Sequence, residues 1–287
     1  MGRLYRGETK IDSVLQAYSG GSIVSKMYYG TNQVFPKGYP LNDHLVLWNS
    51  CTNYTYGAAT WNDISGNGNH ATVNGSSMDV TSTGVTFNGT NNYLSYPTTI
   101  VNPPSASGAG NDFTLQFYGT LFNDGTTRDL FCKNNPNTGW DTVWEPGSNR
   151  FVTRDFPITD GYYSFTNSPG TKYLFTFSIF IGSSTTTVNF FVNDTFQSST
   201  TMGGGFGWQS DNLYFGFNTN TDATYFKGNI TDILIYRKAL STGEVVDNYN
   251  YLVSNSCVGA TTPAPTPAPT PAPTPAPTPA PTPAPTP

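Results

Sequence analysis

Two segments far apart in the chain limit its fold more than any other feature. Residues 60–71, Thr-Trp-Asn-Asp-Ile-Ser-Gly-Asn-Gly-Asn-His-Ala, read as a tight Asn/Gly turn pinned by a large aromatic, Trp61. Residues 226–241, Phe-Lys-Gly-Asn-Ile-Thr-Asp-Ile-Leu-Ile-Tyr-Arg-Lys-Ala-Leu-Ser, alternate along Ile230, Asp232 and Leu234 against Thr231, Ile233 and Ile235. That is the period of a strand, and both of its faces turn apolar toward the end, as in a sheet covered on both sides. Ser241-Thr242-Gly243-Glu244 follows as a capping box, in which Ser caps the amide three residues on and Glu caps back. Val245, Tyr249 and Leu252 then fall at helical spacing, so one short helix closes the pattern.

The chain between reads as strands and turns. Strands are expected at His44–Trp48, Val85–Phe87, Asn92–Tyr96, Phe113–Tyr118, Leu130–Lys133, Trp140–Trp144, Arg150–Arg154, Tyr162–Phe165, Lys172–Ile181, Thr187–Val192, Leu213–Phe217 and Ile230–Tyr236. Aromatics make up 15% of the chain and charged residues only 11%, against about 25% charged in ordinary globular proteins. The surface is therefore largely amides and hydroxyls, which suits sugar contact and also suits packing inside a large assembly. A net charge of -5 excludes phosphate-backbone binding, which needs clustered Lys and Arg. No apolar run reaches the ~18 residues of a membrane span. Residues 1–8 lack the apolar core of a signal peptide, so export by a cleaved leader is not expected.

The two segments, with Val85-Thr86-Phe87-Asn88-Gly89-Thr90-Asn91-Asn92-Tyr93-Leu94 between them, resemble the opening, early strand pair and closing signatures of laminin-G-like domains. The resemblance covers roughly Leu41 to Leu252. It implies an all-β fold: an antiparallel two-sheet jelly-roll sandwich of the concanavalin A-like kind, with one short C-terminal helix. It leaves function open, because this fold hosts lectins, adhesins, structural domains and glycosidases.

Three regions follow. Residues 39–256 form the sandwich. Residues 1–38 repeat an aromatic, a Gly turn and apolar positions (Tyr5-Arg6-Gly7, Tyr18-Ser19-Gly20, Tyr29-Gly30), which predicts a small β-meander of three strand pairs. Such a meander is too short to bury a core alone and should dock on something. The repeat resembles those on tail, fibre and capsid-associated proteins of bacteriophages; the alternative is a plain extension of the sandwich. Residues 257–287 include six Pro-Ala-Pro-Thr units and a final Pro, which predicts an extended polyproline II tail.

Candidate chemistry is sparse. The glucanases of this fold carry a Glu-x-Asp-x-x-Glu strand, and none of Glu8, Glu145 and Glu244 sits in that pattern. Asp141 and Glu145 share a strand face with Val143, a spacing indifferent for catalysis. His44 and His70 have no partner motif. No cofactor is expected, although the resemblance admits calcium; Asp63 is the candidate ligand, against the reading that its carboxylate closes the turn before Gly66. Sugar stacking needs a planar aromatic beside amides or carboxylates. Trp208 beside Gln209, Asp211 and Asn212 qualifies, as do Tyr162 and Tyr163 after Asp160, whereas Trp61, Trp140 and Trp144 read as core. Cys51, Cys132 and Cys257 lack metal spacing and are expected to be reduced thiols. A Cys51–Cys257 bridge is the alternative, since the first and last strands of a jelly roll lie side by side.

These observations lead to a non-enzymatic virion structural protein. Its N-terminal repeat would bind other virion proteins or its own copies, and its sandwich would be displayed on the capsid or tail surface toward host polysaccharide. A secreted, extracellular carbohydrate-binding module or adhesin is the second reading, and a polysaccharide-active enzyme the third.

Overall fold

The computed structural model describes residues 44–100, 111–135, 138–156, 159–203, 211–219, 224–255 and 257, and the backbone pairing of six short strands between residues 5 and 35. The Pro-Ala-Pro-Thr segment lies outside the described residues. The six short strands form three separate antiparallel pairs: β1 (Tyr5–Arg6) with β2 (Thr9–Lys10), β3 (Ala17–Ser19) with β4 (Ser22–Val24), and β5 (Met27–Tyr29) with β6 (Asn32–Phe35).

The sandwich runs through β7 (Leu45–Ser50), β8 (Thr60–Trp61), β9 (Ala71–Asn74), β10 (Val80–Thr81), β11 (Gly84–Asn88) and β12 (Tyr93–Tyr96). It continues with β13 (Phe113–Leu121), β14 (Arg128–Asn135), β15 (Thr138–Glu145), β16 (Arg150–Phe156) and β17 (Thr159–Ser164). It ends with β18 (Tyr173–Ile181), β19 (Thr185–Val192), β20 (Thr195–Gly203), β21 (Leu213–Phe215), β22 (Lys227–Tyr236) and helix α1 (Thr242–Asn255). The first sheet has the order β10-β11-β22-β13-β18-β19-β20, with β7 also paired to β22. The second has the order β17-β16-β15-β14-β21-β12-β9-β8. Every pairing is antiparallel, as a jelly-roll sandwich requires.

Strand β22 organises the first sheet. One edge pairs with β13, while the other is shared by β11 at residues 227–230 and β7 at residues 232–236. Its two apolar faces have separate uses. Ile230, Ile233 and Ile235 enter the core between the sheets, with Phe117, Phe131, Phe151, Phe175, Phe177 and Phe215. Leu234 and Tyr236 lie outside, in a second cluster with Trp48, Leu240, Val245 and Leu252. Helix α1 therefore covers the outer face of this sheet. Its start is half of a capping box: the Ser241 N–H donates to Glu244 Oε2 at 2.8 Å, but Ser241 Oγ turns to the same carboxylate at 2.8 Å.

Three expectations are corrected. Strand β20 was not foreseen: its Thr- and Ser-rich sequence leaves only Met202 buried, because it forms a sheet edge. The predicted strand Leu213–Phe217 stops at Phe215. Cys51 and Cys257 are not free thiols but a disulfide with Cα atoms 5.4 Å apart, while Cys132 is the buried free cysteine. The bridge fastens the residue just beyond α1 to the end of β7 and closes a 206-residue separation.

Candidate functional site

The outer face of the second sheet carries the concentration of polar and aromatic groups. Leu94, Leu213, Phe215, Phe131, Trp140, Trp144, Phe151 and Tyr163 point into the core, so their alternate neighbours point out. Register then aligns Asp160, Arg154, Asp141, Cys132, Tyr214 and Ser95 in one row across β17, β16, β15, β14, β21 and β12. A second row holds Tyr162, Val152, Val143 and Asp129. At about 4.8 Å per strand, Asp160 and Tyr214 are about 19 Å apart; these ends are at least partly exposed, whereas Asp141 and Cys132 between them are wholly buried.

One end of this face is an aromatic shelf. Tyr93 stacks on Phe217 with centroids 4.5 Å apart, and Phe217 stacks on Tyr225 at 5.4 Å. Tyr214 meets Phe217 edge-on at 5.7 Å. All four rings are partly exposed. Phe215 and Phe217 would share a face in a regular strand, but Gly216 between them has φ +82° and breaks the alternation. Its N–H donates to Leu130 O at 2.7 Å and its carbonyl accepts from Phe226 N at 3.1 Å, so the turn is locked. A Cβ at Gly216 would lie 3.1 Å from Phe226 Cβ.

Beside the shelf lies a buried polar cluster. Asn218 Nδ2 donates to Asp129 Oδ1 at 3.2 Å and to Asp141 Oδ2 at 2.9 Å. Thr224 Oγ1 donates to Asp129 Oδ2. Asp141 is wholly buried, and its Oδ1 has no hydrogen-bond partner; Arg154 Nε lies 3.9 Å from it. Burial pushes the Asp141 carboxyl up to about 7, with Arg154 opposing and Asp129 adding to the rise. Burial also raises Asp129, against hydrogen bonds from Thr224 and Asn218. Farther along, Arg150 Nε pairs with Glu145 Oε2 at 2.7 Å and stacks its guanidinium 4.3 Å over Tyr162.

The sequence-predicted site residues divide. Asp160 and Tyr162 lie on this face, joined by a 2.9 Å bond from the Tyr162 hydroxyl to Asp160 Oδ2. Tyr163 is no ligand contact: it points the other way and is wholly buried against Phe177 and Phe190. Asp211 and Asn212 precede β21; the Asp211 carbonyl accepts from the buried Lys133 Nζ at 2.6 Å, and Asn212 bonds the Tyr214 phenol. Trp208 and Gln209 lie outside the described residues. Asp63 does not fit a metal ligand. Its carboxylate accepts from Trp48 N, Ser65 N, Ser65 Oγ and Asn69 N at 2.8–3.0 Å, holding the turn instead. Trp61, Trp140 and Trp144 are core, as expected. His70 accepts from Asp63 N at 3.0 Å, a structural bond. A cleft of about 420 Å³ lined by Ser164, Phe165, Thr166, Val192 and Gln197 opens near β17 and β20, and none of these lining residues is ionisable.

No family model matches this sequence, and no curated protein matches it. Solved structures do match in fold. The receptor-binding domain of botulinum neurotoxin C/D mosaic serotype superposes with a TM-score of 0.54 at 16% identity, covering 73% of this chain and 52% of that one. A structure of botulinum neurotoxin type C, whose cell entry depends on interaction with two ganglioside molecules, matches with a TM-score of 0.53 at 12% identity over 74% of this chain and 52% of that one. A mutant Trypanosoma rangeli sialidase displaying trans-sialidase activity matches with a TM-score of 0.53 at 14% identity, over 72% of this chain and 32% of the sialidase. The chain thus spans about half of the toxin domains and about a third of the sialidase. The shared feature is a β-sandwich fold. The sialidase matches also correct the expectation that the chain is not an enzyme, since the same fold occurs within enzyme chains.

Asp129, Asn218, Thr224 and the shelf residues Tyr93, Phe217 and Tyr225 were missed by sequence reasoning. Gly216 between two phenylalanines was the available signal for a break in the strand.

Proposed function

We propose that the outer face of the second sheet is a glycan-binding surface. The observation that carries this reading is the partly exposed Tyr93–Phe217–Tyr225 shelf, on the same sheet face as the exposed Tyr162 phenol and Asp160 carboxylate. Apolar sugar faces stack on such rings while hydroxyls bond amides and carboxylates. The toxin domain whose cell entry depends on gangliosides, and the sialidases, support glycan recognition on a sandwich of this kind. Asp129, Asp141, Glu145 and Asp160 outnumber Arg150 and Arg154 on this face, which favours neutral over anionic sugars. A single shallow site of this type holds its ligand near millimolar, about 4 kcal/mol. Glycan-array screening of the full chain, followed by calorimetry on the best neutral oligosaccharide, tests it. Tyr93→Ala should weaken binding about tenfold or more. An array without binders, or binding that is indifferent to Tyr93→Ala, would sink the assignment.

The N-terminal strand pairs and the proline-rich tail support display of this domain on a virion, where many copies raise the effective concentration of weak sites. The Cys51–Cys257 bridge accords with an oxidising location such as a particle surface or the extracellular space. Residues 1–38 fused to a reporter should then co-sediment with particles; a reporter that stays in the supernatant favours the secreted module.

A further inference from the structure

We propose that the Tyr93–Phe217–Tyr225 shelf is the docking site of the chain's own Pro-Ala-Pro-Thr segment, residues 263–287. The two match in chemistry. A polyproline II segment has no internal hydrogen bonds, so its carbonyls stay free to accept, and its pyrrolidine rings are apolar. Aromatic-lined surfaces recognise such segments by packing against the proline rings. Ring hydroxyls then donate to the free carbonyls. The shelf holds both kinds of group. Tyr93, Phe217 and Tyr225 are partly exposed. Neither the Tyr93 nor the Tyr225 hydroxyl has a hydrogen-bond partner among the described residues, so each phenol keeps its donor. The Pro-Ala-Pro-Thr units carry no charge, so the acidic groups of this face do not repel them as they would an acidic segment.

The segment is also tethered close to the shelf. The disulfide fixes Cys257 to Cys51 at the end of β7, and Trp61 Nε1 on β8 donates to the neighbouring Ser50 O at 2.9 Å. On β9, Ala71 pairs with Trp61 and Asn74 pairs with Tyr93. Two strand spacings across and three residues along put Trp61 and Tyr93 about 14 Å apart. Residues 258–262 span about 17 Å when extended, so the first proline units reach the shelf. Proline occupies every second position and about three residues make a turn, so each face of the helix carries a proline in alternate turns. Any rotation of the segment, and any of its six units, can therefore meet the rings. A short tether supplies an effective concentration on the order of millimolar, so a contact of only millimolar affinity is about half occupied. The fixed φ angles of proline lower the ordering cost of docking. This inference does not rest on the glycan reading, although both use the shelf and so exclude one another.

The test is nuclear magnetic resonance of the full chain with isotope-labelled alanine methyls. The alanine methyls between residues 264 and 284 should move upfield in wild type, under the ring currents of the shelf, equally at every protein concentration. Tyr93→Ala should return them to the positions they take in a free peptide of the same repeat. Tyr225→Phe, which keeps the ring and removes only the hydroxyl, should reduce the displacement. Tyr162→Ala changes the same sheet face away from the shelf and should leave the displacement intact. The methyl of Ala71, wholly buried in the core, reports in every sample that the sandwich is folded. Tail methyls at free-peptide positions in wild type would overturn the docking, as would a displacement that survives both Tyr93→Ala and Tyr225→Phe. A displacement that grows with protein concentration would place a second copy's tail on the shelf and overturn the tether. No sugar enters these readouts, so failure of the glycan reading and failure of tail docking are distinguishable.

Discussion

The two sheets treat their outer faces in opposite ways. The first sheet is roofed by α1; beneath that roof amides and hydroxyls bond one another, and the buried Asp232 carboxylate accepts from Trp48 Nε1 at 2.9 Å. Asn248 Nδ2 donates to Gln116 Oε1 and to the Tyr236 hydroxyl, each at 2.8 Å, and Gln116 Nε2 donates to Thr176 Oγ1 at 2.8 Å. The second sheet has no helix over it among the described residues, and it buries two carboxylates with incomplete compensation. Neutral networks of this kind hold one packing in place. Buried carboxyls with raised pKa values cost stability and cluster at functional sites, so the second sheet's outer face is where function is to be sought.

The largest expected effect breaks the roofed side. Cys51→Ser removes the bridge that fixes the end of α1 to β7 across a 206-residue separation. Chain-entropy reasoning puts the loss at about 5 kcal/mol. Denaturant midpoints should fall accordingly, with hydrogen exchange rising first along α1. Unchanged unfolding in reductant would mean that the roof is held by packing alone.

The next prediction concerns the outer face of the second sheet. The folded Asp141 carboxyl titrates at about 7, whereas an unfolded one titrates near its ordinary 3.8. Between those values the folded chain holds the proton more tightly than the unfolded chain. Stability is therefore full at and below about pH 4, declines as pH rises toward 7, and is flat above. The decline should amount to about 2–4 kcal/mol, with Asp129 adding in the same direction. Asp141→Asn should flatten the profile and melt above wild type at pH 8. A stability that climbs between pH 4 and 7 in wild type would contradict the buried-charge description. On the roofed side, Asn248→Ala should cost about 2 kcal/mol by leaving Gln116 and Tyr236 short of a partner, with no pH dependence of its own in this range.

How much of this was readable in the sequence depends on range. The turn at residues 60–71, the alternating β22 and the start of α1 are local patterns, and each appears where expected. So does the burial of Trp61, Trp140 and Trp144. Strand β20 was not legible, because an edge strand needs no apolar alternation. The Asp129–Asn218–Asp141 cluster was not legible either, since it joins residues 89 and 77 positions apart, and only register brings them together. Adjacent Tyr162 and Tyr163 were read as a pair, yet the two-residue period of a strand sends one outward and the other into the core. The bridge between Cys51 and Cys257 likewise follows from where α1 ends in space, not from spacing along the chain.

The smallest stability effect gives the sharpest separation of the two faces. Gly216→Ala forces a side chain into φ +82° with its Cβ 3.1 Å from Phe226 Cβ. The left-handed backbone costs a non-glycine residue about 1 kcal/mol, and a few tenths of an ångström of give at Phe226 adds little. Because the core partners of Phe215 and Phe226 remain in place, the fold should persist with a slightly lower melting temperature. The turn, however, is what carries Phe217 from the core side to the shelf against Tyr93. Relaxing it tilts that ring away and shifts Asn218, which follows it. Glycan affinity should therefore fall about tenfold for a stability loss near 1 kcal/mol, whereas Asn248→Ala should lose more stability and keep the affinity. If the two variants scale together, with affinity tracking melting temperature, then binding depends on the integrity of the whole sandwich and not on the geometry of its open face.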